Sequence, residues 1–218
     1  NGQGLSGALS QVITNNQPIF SYFMKDWAGF DADGLSTYRR ADGSITTLAD
    51  APELLLEGKT GLPKLNLGFS TNFRYKKLDF TTSWYGQFGH YIYNNTANAY
   101  FYTSAFNGGR NMPISYVSEG QSASDVATPS SLYLEKGDFL RLGNLGLGYS
   151  FDVSNVKYLD YLRVFFNGSN LLTITDYSGF DPEVSVANTN NNGVPGAGID
   201  YLGYPNNKSF TFGVNVKF

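Results

Sequence analysis

Few side chains in this chain could carry covalent chemistry, and each reads more naturally another way. Asp181 and Glu183 lie two residues apart, and paired carboxylates ~5–9.5 Å apart are the acid/base set of glycosidases. Alternate residues on an extended chain point to opposite faces, however, so the pair reads as part of a structured loop. Asp31, Asp33 and Gly34 resemble the start of a calcium loop, but no bidentate Glu follows at the required offset, which leaves turn capping. His90 is the single histidine and there is no cysteine. Together these exclude a His-pair metal site, thiolate ligands, a thiol nucleophile and disulfides. No Gly-rich element has the strand-to-helix context of a phosphate loop. The sequence therefore offers no catalytic residue, metal site or cofactor motif, and the chemistry left is recognition. Tyr91, Tyr93, Tyr100, Phe101 and Tyr102 form an aromatic cluster. Aromatic faces stack on sugar rings, but Tyr and Trp also collect at membrane interfaces. Girdle or loop packing is the stronger reading for Tyr91 and Tyr93. For Tyr100, Phe101 and Tyr102, ligand contact and loop packing stand level. Arg74, Arg141 and Arg163 fall at or near the polar phase of strand-like segments, where they line a channel or form ladders with carboxylates of neighbouring strands.

The elements that must position these groups are strands. The 218 residues carry 15 basic and 18 acidic side chains, 16% aromatic residues and 25 glycines. Few charges beside many Tyr, Phe, Gly and Asn indicate a β-protein with wet loops, and no basic run long enough for nucleic acid occurs. No apolar run approaches the ~20 residues of a transmembrane helix. Period-two alternation is cleanest at the end, where Phe210, Phe212, Val214, Val216 and Phe218 oppose Thr211, Gly213, Asn215 and Lys217. Leu65 to Tyr75, Leu78 to Phe88, Asp138 to Phe151 and Tyr161 to Leu172 repeat the pattern, and a weaker strand is expected from Ile19 to about Phe30. Leu140 and Leu142 are out of phase with Leu145, Leu147 and Tyr149, which a bulge near Gly143 would reconcile. One face is aromatic and aliphatic, and the other is polar but lightly charged. That is the arrangement of a membrane barrel, with lipid outside and water inside.

Connection lengths support this. Only Tyr75 to Leu78 and Asp152 to Leu159 join neighbouring strands tightly, whereas Asp31 to Lys64, Tyr93 to Lys136 and Thr173 to Lys208 are long. Strict alternation of short and long connections matches barrels with tight periplasmic turns and long extracellular loops. Six strands cannot close, since bacterial barrels start at 8 and an open edge in lipid leaves backbone groups unsatisfied. Other strands must complete the barrel. The apolar and aromatic loop residues Tyr177, Phe180, Tyr201, Leu202 and Tyr204 call for partners, and the polar run 188–198 reads as mobile.

The run from Asp138 to Phe151 (DFLRLGNLGLGYSF), the segment after Leu162, the block from Asn170 to Val184 (NLLTITDYSGFDPEV) and the close from Asp200 to Pro205 and Ser209 to Phe218 resemble the C-terminal end of SusC-type TonB-dependent outer-membrane transporters. The resemblance implies an all-β, antiparallel transmembrane β-barrel of 22 strands, of which residues 1–218 supply C-terminal strands without the plug. It also implies active import of oligosaccharides or peptides, a SusD-type surface lipoprotein as partner, and energy from the TonB complex through an N-terminal part absent here. Phe218 matches the terminal aromatic read by the barrel-assembly machinery. Leu56 to Lys64 departs from the family's shorter Asn-Pro-Lys approach to the strand. Two other readings stay open: a glycan-binding surface β-sandwich and a plug-less, porin-like barrel.

Overall fold

The computed structural model describes residues 10–114, 120–184 and 196–218. Along the chain, β1 (Gln11–Val12), β2 (Ser21–Met24), β3 (Asp26–Phe30), β4 (Ser36–Arg39), β5 (Ile45–Thr47) and β6 (Leu54–Thr60) precede a long hairpin of β7 (Leu65–Tyr75) and β8 (Leu78–Phe88). Then come β9 (Tyr91–Asn94), the short helix α1 (Asn95–Tyr100), β10 (Leu134–Lys136), β11 (Phe139–Ser150), β12 (Tyr161–Thr175), β13 (Ile199–Asp200) and β14 (Ser209–Lys217). They fall into two compact units.

The first unit comprises Leu65–Phe88, Asp138–Asp176 and Pro205–Phe218. Its five long strands form one antiparallel sheet in the order β14-β12-β11-β8-β7. Register puts large apolar side chains of consecutive strands in line. Phe73, Phe80, Leu147, Phe166 and Phe212 form one row across all five strands, and Tyr75, Leu78, Tyr149, Val164 and Val214 form the next. Phe69 stacks on Trp84 at 6.1 Å within a third row that continues through Leu142 and Leu172. This face is uncovered: Phe212 is 78% exposed, and Phe69, Phe73, Leu147 and Val164 are also exposed. The register slips between Leu142 and Asn144 against both neighbours. Gly143 is the extra residue against β8, and the slip returns Leu145, Leu147 and Tyr149 to the face held by Leu140 and Leu142. At the tight turn, Lys76 adopts φ 55°, and the Lys77 ammonium lies 2.9 Å from Asp152 of the other short connection.

The second unit comprises Asn1–Lys64, Gly89–Gly137 and Tyr177–Tyr204. It holds three small sheets, β1-β2-β6, β3-β4-β5 and β10-β9-β13, and a core of Tyr22, Met24, Leu56, Tyr93, Ala97, Tyr133, Leu134 and Ile199 drawn from the first and third sheets, α1 and the turn before β10. The long connections thus fold on a core of their own. The strand expected from Ile19 to about Phe30 is not a barrel strand. Phe20 takes φ 59°, Gly29 takes φ 122°, and Lys25 separates β2 from β3, which join different sheets. The long-stranded sheet accordingly has five strands, not six. The departing segment Leu56 to Lys64 is absorbed here: β6 pairs with β2, so it builds loop architecture and not an approach to β7. Residues 188–195 of the run read as mobile lie outside the described residues.

Candidate functional site

The face of the five-stranded sheet opposite the apolar rows is polar. Ser70, Ser83, Asn144, Ser169 and Ser209 align across it, followed by Asn72, Thr81, Gly146, Asn167 and Thr211. Below them Asp79 on β8 reaches past β11 to Arg163 on β12. Arg163 Nη2 donates to Asp79 Oδ2 at 2.6 Å and Nε donates to Oδ1 at 3.1 Å, a two-pronged fork. The fork passes over Gly148, where any Cβ would overlap both the guanidinium and the carboxylate. Arg74 stands opposite Asp79 in register. Arg141 is buried, its guanidinium 5.5 Å from the Phe139 ring centroid. The three arginines therefore share one face, and Arg163 forms with Asp79 the carboxylate ladder set beside channel lining as an alternative. Phe165 breaks the polar pattern, its ring lying against Gly213 and under the Arg163 guanidinium at 5.4 Å. The adjacent pair Phe165 and Phe166 was the visible signal, because two successive aromatics cannot share one face of a strand.

The loop unit holds a cavity of about 180 Å³ lined by Asn94, Thr96, Phe101, Pro113, Ser178, Gly179, Phe180 and Asp200. Asn94 caps α1, its Oδ1 accepting from Ala97 N at 2.9 Å. Its amide donates to Glu135 Oε1 and to Ser178 Oγ. Ser178 donates through Oγ and its backbone N to the two oxygens of Glu135, at 2.7 and 2.8 Å. Thr96 Oγ1 donates to Asp200 Oδ1 and accepts from Leu202 N, while Tyr177 OH donates to Asp200 Oδ2 at 2.7 Å. Gly179 is required because a Cβ there would run into the Tyr177 ring.

Of the aromatic candidates, Phe101 lines this cavity. Tyr100 hydrogen-bonds Tyr201, which holds the Tyr201 phenol above its ordinary pKa, and Arg110 lies 5.9 Å over the Tyr100 ring. Tyr102 does not line the cavity. Tyr91 packs against the core and Tyr93 is fully buried, so loop packing accounts for both. Burial pushes the phenols of Tyr93 and Tyr22 up, which keeps them neutral. Asp181 Oδ1 accepts from Glu183 N at 2.9 Å, a structured loop, and Asp31 Oδ1 accepts from the backbone of Asp33 and Leu35, a turn cap. Phe218 is exposed and one residue past β14. Ser178, Phe180 and Asp200 as cavity walls were missed. The block from Asn170 to Val184 stood out as a string, but nothing in its spacing announces a cavity.

No family model matches the chain. It is 34% identical over 166 residues to TonB-dependent receptor P3 of Formosa agariphila, covering 72% of this chain and 16% of that protein. It is 28% identical over 170 residues to TonB-dependent receptor SusC of Bacteroides thetaiotaomicron, covering 70% of this chain and 15% of that one. The chain thus spans about a sixth of the length of these curated relatives. Among solved structures it superposes on the RagAB peptide transporter with a TM-score of 0.69 at 23% identity, over 98% of this chain and 25% of that one, a likeness of fold.

Proposed function

As the chain belongs to the SusC-like TonB-dependent receptors, we propose that it supplies barrel strands and surface loops to an outer-membrane importer of oligosaccharides or peptides. The observation that carries the reading is the two-faced sheet. Five strands of 9 to 15 residues put their aromatic and aliphatic side chains on one uncovered face and their serines, asparagines and forked ion pair on the other. Such strands match the ~9–11 tilted residues of a bilayer span. A soluble β-sandwich would bury that apolar face under a second sheet, against the exposure of Phe69, Phe73 and Phe212. In this reading the apolar rows meet lipid, and Arg74, Arg141 and Arg163 belong to the lumen wall. Residues 1–218 act as the C-terminal part of the barrel, with further strands pairing with β7 and β14. The loop unit stands outside the cell beside a SusD-type lipoprotein. Coupling to the TonB complex runs through parts of the receptor beyond this chain, and Phe218 serves assembly.

The test is uptake by the intact receptor in its own outer membrane. Labelled oligopeptide and oligosaccharide pools should enter energised cells, and entry should stop when the proton gradient collapses or TonB is removed. Uptake unchanged by either treatment would favour a passive porin-like barrel instead. Co-purification of a surface lipoprotein with the tagged receptor is expected, and its absence would count against the partner.

A further inference from the structure

The cavity in the loop unit has a lining of two kinds. Phe101, Phe180 and Pro113 are apolar, and Asn94, Thr96, Ser178 and Asp200 are polar. Every side-chain donor of the polar lining is already engaged. Both Asn94 amide hydrogens go to Glu135 and Ser178, the Thr96 hydroxyl to Asp200, and the Ser178 hydroxyl to Glu135. The Asp200 carboxylate is almost fully buried and takes hydrogen bonds from Tyr177, Thr96 and Gly203. A sugar ring entering this space would bury hydroxyls that find no free side-chain donor, and an unpaired buried polar group is unfavourable. An acidic group would meet Asp200 with no Lys or Arg among the lining residues. The volume, about 180 Å³, falls below the ~300–1,000 Å³ of pockets that enclose a whole drug-sized ligand, so it holds one side chain and not a chain segment.

We infer that this cavity is a subsite for one neutral apolar side chain, aromatic or aliphatic, of a peptide cargo. The inference rests on the import reading and narrows its cargo to peptides. Phe180 is the wall that a ligand meets first. It is 66% exposed, whereas Phe101 is only partly so and packs on the core. The subsite discriminates by exclusion, because groups needing hydrogen bonds find the side-chain donors of its lining already taken.

The probes are pentapeptides Ala-Ala-X-Ala-Ala with X as Phe, Leu, Ser or Asp, and a linear glucose pentasaccharide, each titrated onto the intact detergent-solubilised receptor. The Phe and Leu peptides should bind at least about tenfold tighter than the Ser and Asp peptides. Phe180→Ala, a surface change that leaves the core alone, should remove most of that ratio, and Phe101→Ala should do the same. Phe106→Ala, which does not line the cavity, should keep it. Equal binding of the four peptides, no binding of the apolar ones at millimolar concentration, a ratio untouched by Phe180→Ala, or pentasaccharide binding lost in Phe180→Ala would overturn the subsite. Energised uptake measured in parallel separates the two claims. TonB-dependent uptake that ignores X overturns the subsite alone, and uptake independent of TonB overturns the import reading whatever the binding ratio.

Discussion

The barrel sheet and the loop unit use the same residue types in opposite ways. In the sheet, Phe69, Phe73, Phe210 and Phe212 lie exposed on the apolar face, and the Arg163–Asp79 fork crosses the polar face above Gly148. In the loop unit, tyrosines go inward: Tyr22 and Tyr93 are fully buried with Met24 and Ile199 around them. The Tyr22 hydroxyl donates toward the carbonyls of Gly198 and Tyr91 at 2.6 and 3.0 Å. A side chain goes where its surroundings are apolar, so the solvent each unit meets decides which face is inside. In the proposed membrane setting lipid takes the role of a core for the sheet, whereas the loop unit builds a core of its own from Tyr22, Met24, Tyr93 and Ile199.

The largest expected effect tests the loop core. Tyr93→Ala removes a fully buried ring and should cost about 3–5 kcal/mol, read as lost hydrogen-exchange protection of amides in β2, β9 and β13 with β7, β8, β11, β12 and β14 unaffected. Uniform loss over both units would mean that they are not separate folding bodies. Next, Leu147→Arg in the middle of the apolar rows should destabilise the receptor in lipid vesicles by about 2–4 kcal/mol, while Asn167→Arg on the opposite face should cost under about 1 kcal/mol. Similar losses from both would erase the distinction between faces. A smaller change is expected for the fork. Arg163→Ala leaves Asp79 without its two short hydrogen bonds and should cost about 1–3 kcal/mol, and a double-mutant cycle with Asp79→Asn should report coupling between the two sites.

The faintest effect is a pH dependence at the short turns. Asp152 is held down to about 2, first by its hydrogen bond with Lys77 and then by Ser154. A depressed carboxyl pKa contributes stability that is fully present above the unfolded value near 3.8 and is lost as pH falls through about 2. Lys77→Ala should raise the Asp152 titration toward the ordinary range, read from its carboxyl NMR shift. An unmoved titration would assign the shift to Ser154 alone.

The sheet was legible because period-two alternation with one uniform solvent per face leaves a trace in every residue. The strand limits at Leu65, Tyr75, Leu78 and Phe88, and the bulge at Gly143, could be read directly. The loop unit was not legible. Its strands are two to seven residues long, its pairings join residues as distant as Gln11 and Ala197, and turns such as Phe20 with positive φ carry no sequence mark. Ile19 to Phe30 was misread for that reason. Phe101 emerged as an aromatic in a loop, but its partners Phe180 and Asp200 come from another connection and meet it only through tertiary contacts.

The central claim is that one face of this sheet meets lipid and the other meets water, and single-cysteine scanning of β12 tests it most directly. The 218 residues carry no cysteine of their own. In the intact receptor in outer-membrane vesicles, cysteines at Arg163, Phe165 and Asn167 should react with a membrane-impermeant maleimide admitted to the lumen. Those at Leu162, Val164 and Phe166 should resist it, and fluorophores placed there should be quenched by a brominated lipid. Labelling of Val164 and Phe166 as fast as Arg163 and Asn167, with no lipid quenching at either set, would contradict the account.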